Sequence, residues 1–267
     1  MPLFDGFSLG KRRFYISHYP VILFSCPADL LSVNMRDMNE QLLDDNIAKL
    51  LQRVSRSAGK SQYHNSDILV IAASKGHLAE DIRAAHACGL LHFGESYLQE
   101  ALHKITVLES LNLTWHFIGP IQSNKSTLIA QNFDWVHSID RIKIARRLSE
   151  QRPQHLLPLQ VCLQVNISGE KTKSGTTIQE LPKLARDVLE LPNIRLRGLM
   201  AIPAANASPD KQRKVFGQMR ESLSRLKTLS PDIDTLSMGM SADLENAILE
   251  GATAVRVGTA IFGPRNR

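Results

Sequence analysis

Eight short apolar runs, separated by stretches with helical spacing, limit what this chain can fold into. The first is Asp67-Ile-Leu-Val-Ile-Ala-Ala-Ser-Lys75, in which the apolar residues from Ile68 to Ala73 end abruptly at a serine and a lysine. An unbroken run this rich in Ile and Val reads as a strand buried on both faces, the kind found in parallel sheets covered by helices. Further runs follow at 90–93, 114–118, 133–138, within 157–167, and at 194–200, 233–238 and 252–257. Helical periodicity fills the intervals. Leu78, Ile82 and Ala85 mark one inward face, Leu98, Ala101, Leu102 and Ile105 a second, and Phe216, Met219, Leu223 and Leu226 a third. Asp140, Thr177-Ile-Gln-Glu180 and Ser208-Pro209 are candidate helix starts. Strand–helix alternation implies parallel strands with helical crossovers, and eight repeats predict a closed (β/α)8 TIM-type barrel. An open doubly wound sheet is the rival, but no glycine-rich dinucleotide loop follows any strand. Only ten residues follow Val257, so the last helix is expected to be missing. An extra N-terminal helix over 38–58, with Leu43, Ile47, Leu50 and Val54 on one face, is expected to fill its place.

The chain is therefore read as one barrel domain, 35–267, preceded by a poorly ordered extension, 1–34. Lys11-Arg12-Arg13 and Val21-Ile-Leu-Phe24 faintly resemble a signal peptide, but the apolar run is short and Ser17, His18 and Pro20 interrupt what precedes it. Met35 or Met38 is a candidate true start. The net charge of +6 lies mostly in the barrel, since the extension carries Lys11, Arg12 and Arg13 against Asp5 and Asp29. A modest positive charge suits an anionic ligand. No basic stripe with interleaved aromatics is present, so nucleic acid is not expected. Cys26, Cys88 and Cys162 have neither disulfide nor zinc spacing, which fits a cytoplasmic protein, and no run has the length of a membrane span.

In barrels, ligands sit beyond the carboxyl ends of the strands, and Lys75 stands at that end of the first. Closure brings the eighth strand beside the first at the ~4.8 Å strand spacing. Strand alternation sends Val255 and Val257 to the helix layer and Arg256 into the barrel, beside Lys75. A buried arginine needs a partner, either a barrel carboxylate or a ligand. The loops after strands seven and eight, where barrels commonly hold phosphate, read Ser237-Met-Gly-Met-Ser241 and Gly258-Thr259. Their glycines admit close backbone approach, and Ser241 is expected at a helix N-terminus. An amine, an inward arginine and a phosphate site around one mouth suggest pyridoxal 5′-phosphate. Lys75 would form its Schiff base, Arg256 would face the ring nitrogen, and Ser241, Gly258 and Thr259 would hold the phosphate. Because arginine does not readily give up its proton, the ring stays neutral and is a weak electron sink.

Four segments then resemble the pyridoxal phosphate homeostasis proteins, which share the barrel of the alanine racemase N-terminal domain. They are Ser74-Lys75; Phe93-Gly-Glu95 with Gln99-Glu100; Trp115-His-Phe-Ile-Gly-Pro-Ile-Gln-Ser-Asn-Lys125; and Met240-Ser-Ala-Asp243 with Arg256-Val-Gly-Thr-Ala-Ile-Phe262. The resemblance runs from about Met38 to Phe262. It implies the same roles for Lys75, Arg256, Ser241, Gly258 and Thr259, with no catalytic residue and no metal. It further implies storage and delivery of the cofactor, without established turnover, by a monomer whose partners are the cofactor and recipient apoenzymes. Two positions depart from the family pattern: Ser96 stands where asparagine is usual, and His77 where a second lysine is frequent. The rival functions are an amino-acid racemase, whose extra β domain has no room after strand eight, and a cofactor-free aldolase using Lys75. Trp115 and His116 are open between barrel packing and a role in the site. The lysine-bearing loop 168–175 is open between a solvated charge run and a second anion site.

Overall fold

The computed structural model describes residues 35–63, 67–168, 170, 174–203 and 207–264. The N-terminal extension, with its charge cluster and Cys26, and the middle of loop 168–175 lie outside the described residues. Eight parallel strands close into a barrel in sequence order: β1 Leu69–Ala73, β2 His92–Glu95, β3 Thr114–Phe117, β4 Trp135–Ile139, β5 Leu159–Val165, β6 Ile194–Ala201, β7 Thr235–Ser237 and β8 Ala254–Val257. The seam is the β1–β8 pair, in register from Leu69 opposite Ala254 to Ala72 opposite Val257. The helices are α1 Met35–Lys60, α2 Ala79–Ala87, α3 Leu98–Val107, α4 Ser126–Asn132, α5 Ile142–Gln151, α6 Leu181–Leu189, α7 Pro209–Leu226, α8 Leu244–Leu249 and α9 Thr259–Phe262.

Strand alternation sorts the core into two layers. Phe93, Trp115, Phe117, Val136, Val161, Leu199, Val255 and Val257 join the helix faces in one continuous apolar cluster. The opposite parity gives a lumen of different chemistry. Barrel interiors are ordinarily filled with Val, Ile and Leu; this one contains His116, His137, Ser237 and Arg256, all buried. A register shift between Val161 and Cys162, on the β5–β6 pair, adjusts which residues of β6 face inward.

The extra N-terminal helix is present and packs against α2, α8 and α9. Leu43, Ile47, Leu50 and Val54 form its buried face. Its polar residues fasten the loops of the barrel mouth. Arg53 makes a two-pronged ion pair with Glu245 at 2.6 and 3.1 Å and donates to the Ser241 carbonyl at 3.0 Å. The Asn46 amide donates to the Ile261 carbonyl at 3.1 Å.

Four local expectations are corrected. The helix after the last strand is short rather than missing: α9 spans four residues. Leu78 is exposed, and Ala79, Ile82 and Ala85 bury the inward face of α2. Asp140 does not cap α5, because its carboxylate is held by the adjacent Arg141 at 2.6 and 2.8 Å. Ser208 is the N-cap of α7 with Pro209 in its first turn, as expected, although its side chain makes no cap bond. Thr177 and Glu180 do bond, the Glu180 N–H donating to the Thr177 hydroxyl at 3.2 Å and that hydroxyl donating to the Glu180 carboxylate at 2.9 Å, but this is not the capping box of α6, which begins at Leu181 with Glu180 as its N-cap.

If α1 completes the barrel wall, truncating its buried face must destabilise the whole domain. Leu50 is 1% exposed, and Leu50→Ala is expected to remove about 3 kcal/mol. Urea unfolding should show one transition at a lower midpoint with unchanged slope.

Candidate functional site at the barrel mouth

Lys75 lies two residues beyond β1, half-buried, and Gly76 follows in the left-handed region at φ 76°. The turn is held through the backbone on both sides of Lys75. The buried Lys104 of α3 donates through Nζ to the Ser74 carbonyl at 2.8 Å, to Glu95 Oε1 at 2.7 Å and to Glu100 Oε1 at 2.5 Å. Glu100 Oε1 also accepts the Gly76 N–H at 2.6 Å, and the Ser74 hydroxyl donates to Glu95 Oε1 at 2.7 Å. Burial pushes the Glu95 carboxyl above its usual range, opposed by the bonds from Lys104 and Ser74. Glu95 Oε2 is buried without a hydrogen-bond partner among the described residues. Ser96 lies directly after this cluster, and the loop after β3 crosses over it closely. A Cβ at Gly119 would stand 2.4 Å from the Ser96 carbonyl oxygen, so only glycine fits there.

Across the seam, Arg256 faces the lumen as its parity requires. It is 5% exposed and pairs in register with Ile71. Its guanidinium donates to the Ser237 hydroxyl at 2.7 Å and to the Ala201 carbonyl at 3.0 Å. Among the described residues no carboxylate lies within ion-pair distance of it. Burial lowers its pKa to about 10, offset partly by the charge of Asp243, so it remains a cation at neutral pH.

Gly258 and Thr259 follow β8 at the rim. A Cβ at Gly258 would stand 3.1 Å from the Ala73 carbonyl oxygen, so the backbone passes closely beside the end of β1. Ser241 does not open α8, whose N-cap is Asp243. Its hydroxyl instead accepts the Ala260 N–H at 3.2 Å, joining the loops after β7 and β8. Gly239, at φ 95°, lets that loop turn back, and its carbonyl accepts the Arg256 N–H at 2.9 Å. The structure thus gathers Ser241, Gly258 and Thr259 on one rim, beside the end of β1, two residues before Lys75.

Sequence reasoning missed two groups. One is the Ser74–Glu95–Glu100–Lys104 clamp, of which Lys104 carried no signal beyond a charge at an inward helix position. The other is a file of lumen histidines. His92 Nδ1 lies 3.0 Å from His116 Nε2, His116 Nδ1 lies 2.9 Å from His137 Nε2, and His137 Nδ1 lies 2.9 Å from the Ser237 hydroxyl. The strand parity of His92, His116 and His137 was the available signal. The open question about Trp115 and His116 resolves by face: Trp115 packs toward the helices, 6.0 Å from Phe93 between centroids, and His116 faces the lumen. His77 stacks on Phe262 at 4.6 Å.

Burial, reinforced by its histidine neighbours, holds the His116 pKa well below the usual range. Burial and the Arg256 charge bring that of His137 down to about 3. In the unfolded chain these imidazoles take up protons near pH 6.5. Between that value and about 3 the unfolded state binds more protons, so the stability present above pH 6.5 is lost as pH falls. Urea unfolding at a series of pH values between about 6.5 and 5.5, above most carboxylate titration, should show this decline, with a shallower slope in His137→Gln. For the clamp, Lys104→Met strands a buried carboxylate and is expected to destabilise by about 3 kcal/mol. Adding Glu95→Gln should recover much of that loss in the same measurement.

Residues 43–266 match the family described as alanine racemase, N-terminal domain. The pyridoxal phosphate homeostasis protein of Pseudomonas aeruginosa is 55% identical over 222 residues, covering 83% of this chain and 95% of that relative. Its counterpart in Escherichia coli K12 is 49% identical over 224 residues, covering 83% and 96%. The solved structure of PipY from Synechococcus elongatus PCC7942 with PLP bound superposes with a TM-score of 0.70 at 34% identity, over 83% of this chain and 100% of that one. Identity of this order over nearly the whole length of those relatives, together with the family match, means that the chain belongs to the pyridoxal phosphate homeostasis protein family.

Proposed function

We propose that the protein binds pyridoxal 5′-phosphate as a Schiff base on Lys75 and stores and delivers it in the cytoplasm, without catalytic turnover of its own. The observation that carries this reading is Arg256, a buried cation with no carboxylate within ion-pair reach among the described residues. A buried cation with several N–H donors calls for hydrogen-bond acceptors. The ring nitrogen of the cofactor is a neutral acceptor of suitable size, and the homeostasis relatives are named for this cofactor. The Lys75 amine would hold the cofactor through its aldehyde as an imine, with water as the leaving group. The clamp at Ser74 and Gly76 orients the turn that carries this amine. Ser241 and the backbone of Gly258 and Thr259 receive the phosphate, where missing side chains and rim hydroxyls favour an anion.

Arg256 also supports a carrier over a catalyst. It can donate a hydrogen bond to the ring nitrogen but does not readily donate a proton. The cofactor, when bound, supplies an electrophilic aldehyde for capture and only a weak electron sink. Recipient apoenzymes are then the partners, taking the cofactor by exchange at Lys75.

Purified protein incubated with the cofactor should turn yellow. Borohydride should bleach the visible band and leave a label on Lys75 by mass spectrometry, and Lys75→Ala should show neither. A colourless protein would favour the aldolase reading. Cofactor-dependent racemisation lost in Lys75→Ala would replace the carrier by an amino-acid racemase. Arg256→Gln removes one charged hydrogen bond and is expected to weaken cofactor binding about tenfold, read by equilibrium titration of the visible band.

A further inference from the structure

The lumen file joins five side chains from five strands. Arg256 on β8 bonds Ser237 on β7, which bonds His137 on β4, then His116 on β3, then His92 on β2. It crosses from the mouth to the floor, because His92 is the first residue of its strand and is only partly buried. We propose that Ser237, His137, His116 and His92 form a one-directional hydrogen-bond chain started by Arg256, with all three imidazoles in the Nε2–H tautomer, and that this chain acts as the positioning element for the guanidinium in the cofactor site.

The direction follows from counting hydrogens. Arginine has donors only, so Arg256 donates to the Ser237 oxygen. That hydroxyl has a single hydrogen, and its one acceptor among the described residues is His137 Nδ1. If His137 donated instead, the serine hydrogen would be buried without a partner, which is unfavourable. His137 therefore has a bare Nδ1 and carries its hydrogen on Nε2, which faces His116 Nδ1. The same logic passes to His116 Nε2 and His92 Nδ1, leaving the His92 Nε2–H at the floor. Reversing the chain would need an acceptor on a guanidinium, and there is none. Each donor along such a chain strengthens the next, so the Ser237 oxygen becomes a better acceptor for Arg256. With the Ala201 carbonyl as the second point of attachment, the guanidinium plane is fixed.

The surrounding charges keep the imidazoles neutral. Arg256 stands at one end. Arg197, 5.2 Å over the Trp135 ring, is paired with Asp234 at 2.5 Å. Asp134 accepts the Trp115 N–H at 2.8 Å and, of the three imidazoles, opposes neutrality only at His92, where burial outweighs it. Cys162 stays a thiol, its pKa pushed up to about 12 by burial.

The inference rests on the cofactor reading for its purpose but not for its geometry, so the first measurement uses the full chain without cofactor. Nitrogen-15 histidine spectra should show His116 and His137 neutral, each with a bare Nδ1, between about pH 5.5 and 8. In Ser237→Ala, which removes the start of the chain, both should lose that fixed preference and show mixed tautomers. An Nδ1–H signal or an imidazolium at either residue in the unsubstituted protein overturns the proposal, as does an unchanged tautomer pattern in a folded Ser237→Ala. His137→Gln, which breaks the chain one link later, provides the same test on His116 should Ser237→Ala fail to fold. With cofactor added, Ser237→Ala should still be labelled at Lys75 by borohydride while its visible maximum moves. Labelling with an unmoved maximum overturns the positioning role. If the unsubstituted protein takes up no cofactor, the cofactor reading fails, the positioning role falls with it, and the tautomer spectra still decide the direction of the chain.

Discussion

A permanent cation buried among apolar layers dictates much of the rest of this barrel. Arg256 cannot shed its proton at neutral pH even though burial lowers its pKa to about 10. The lumen therefore has to offer it acceptors. A carboxylate would do so most directly, but it would also neutralise the charge and fix the arginine in a closed ion pair. The structure supplies a hydroxyl and a backbone carbonyl instead, from β7 and β6. These hold the group in direction while leaving its charge uncompensated by any ion pair among the described residues. That choice spreads outward: once Ser237 accepts from Arg256, its own hydrogen needs a home, and the polar residues of β4, β3 and β2 follow from it.

The barrel tolerates such a lumen because its stability comes from elsewhere. The continuous apolar cluster lies between strands and helices, and α1 completes that layer where α9, with four residues, is too short to cover the seam. The same helix reaches the site through Arg53 and Asn46, which hold the Ser241 and Ile261 carbonyls. Wall and rim are thus built from one element. A change in the buried face of α1 acts on the fold, whereas a change at Arg53 acts on the loop that carries Ser241.

Much of this architecture was legible in the residues. The apolar runs located every strand to within about two positions, because strands buried on both faces leave an unbroken signature. The parity argument that turned Arg256 inward and Val255 and Val257 outward needed only alternation along one strand. What escaped was relational. His137 and Ser237 are 100 positions apart in sequence, and their meeting depends on barrel closure and on the shift between β5 and β6. No local pattern carries that. Lys104 escaped for a similar reason: its inward helix position says nothing of its partners, which come from the turn after β1 and the end of β2. Ser241 looked like the cap of the helix that follows it in the chain, yet its hydroxyl serves the helix after the next strand.

The two halves of the mouth are held by opposite means, and the contrast bears on what each must do. On the Lys75 side the fastening is ionic and passes through the backbone: Lys104 holds the Ser74 carbonyl and Glu100 holds the Gly76 N–H, one residue before and one after Lys75. In the proposed role, these bonds would fix the backbone from which the Lys75 amine meets the cofactor. On the Arg256 side the fastening is neutral and passes through the side chain itself, so the guanidinium is rigid while its charge is preserved. If Arg256 faces the cofactor's ring nitrogen as proposed, that arrangement would keep its orientation toward the ring. In the proposed role, an ion pair on Arg256 would compete with the cofactor's ring nitrogen for the guanidinium, which is why a hydroxyl and a carbonyl suit that position better than a carboxylate.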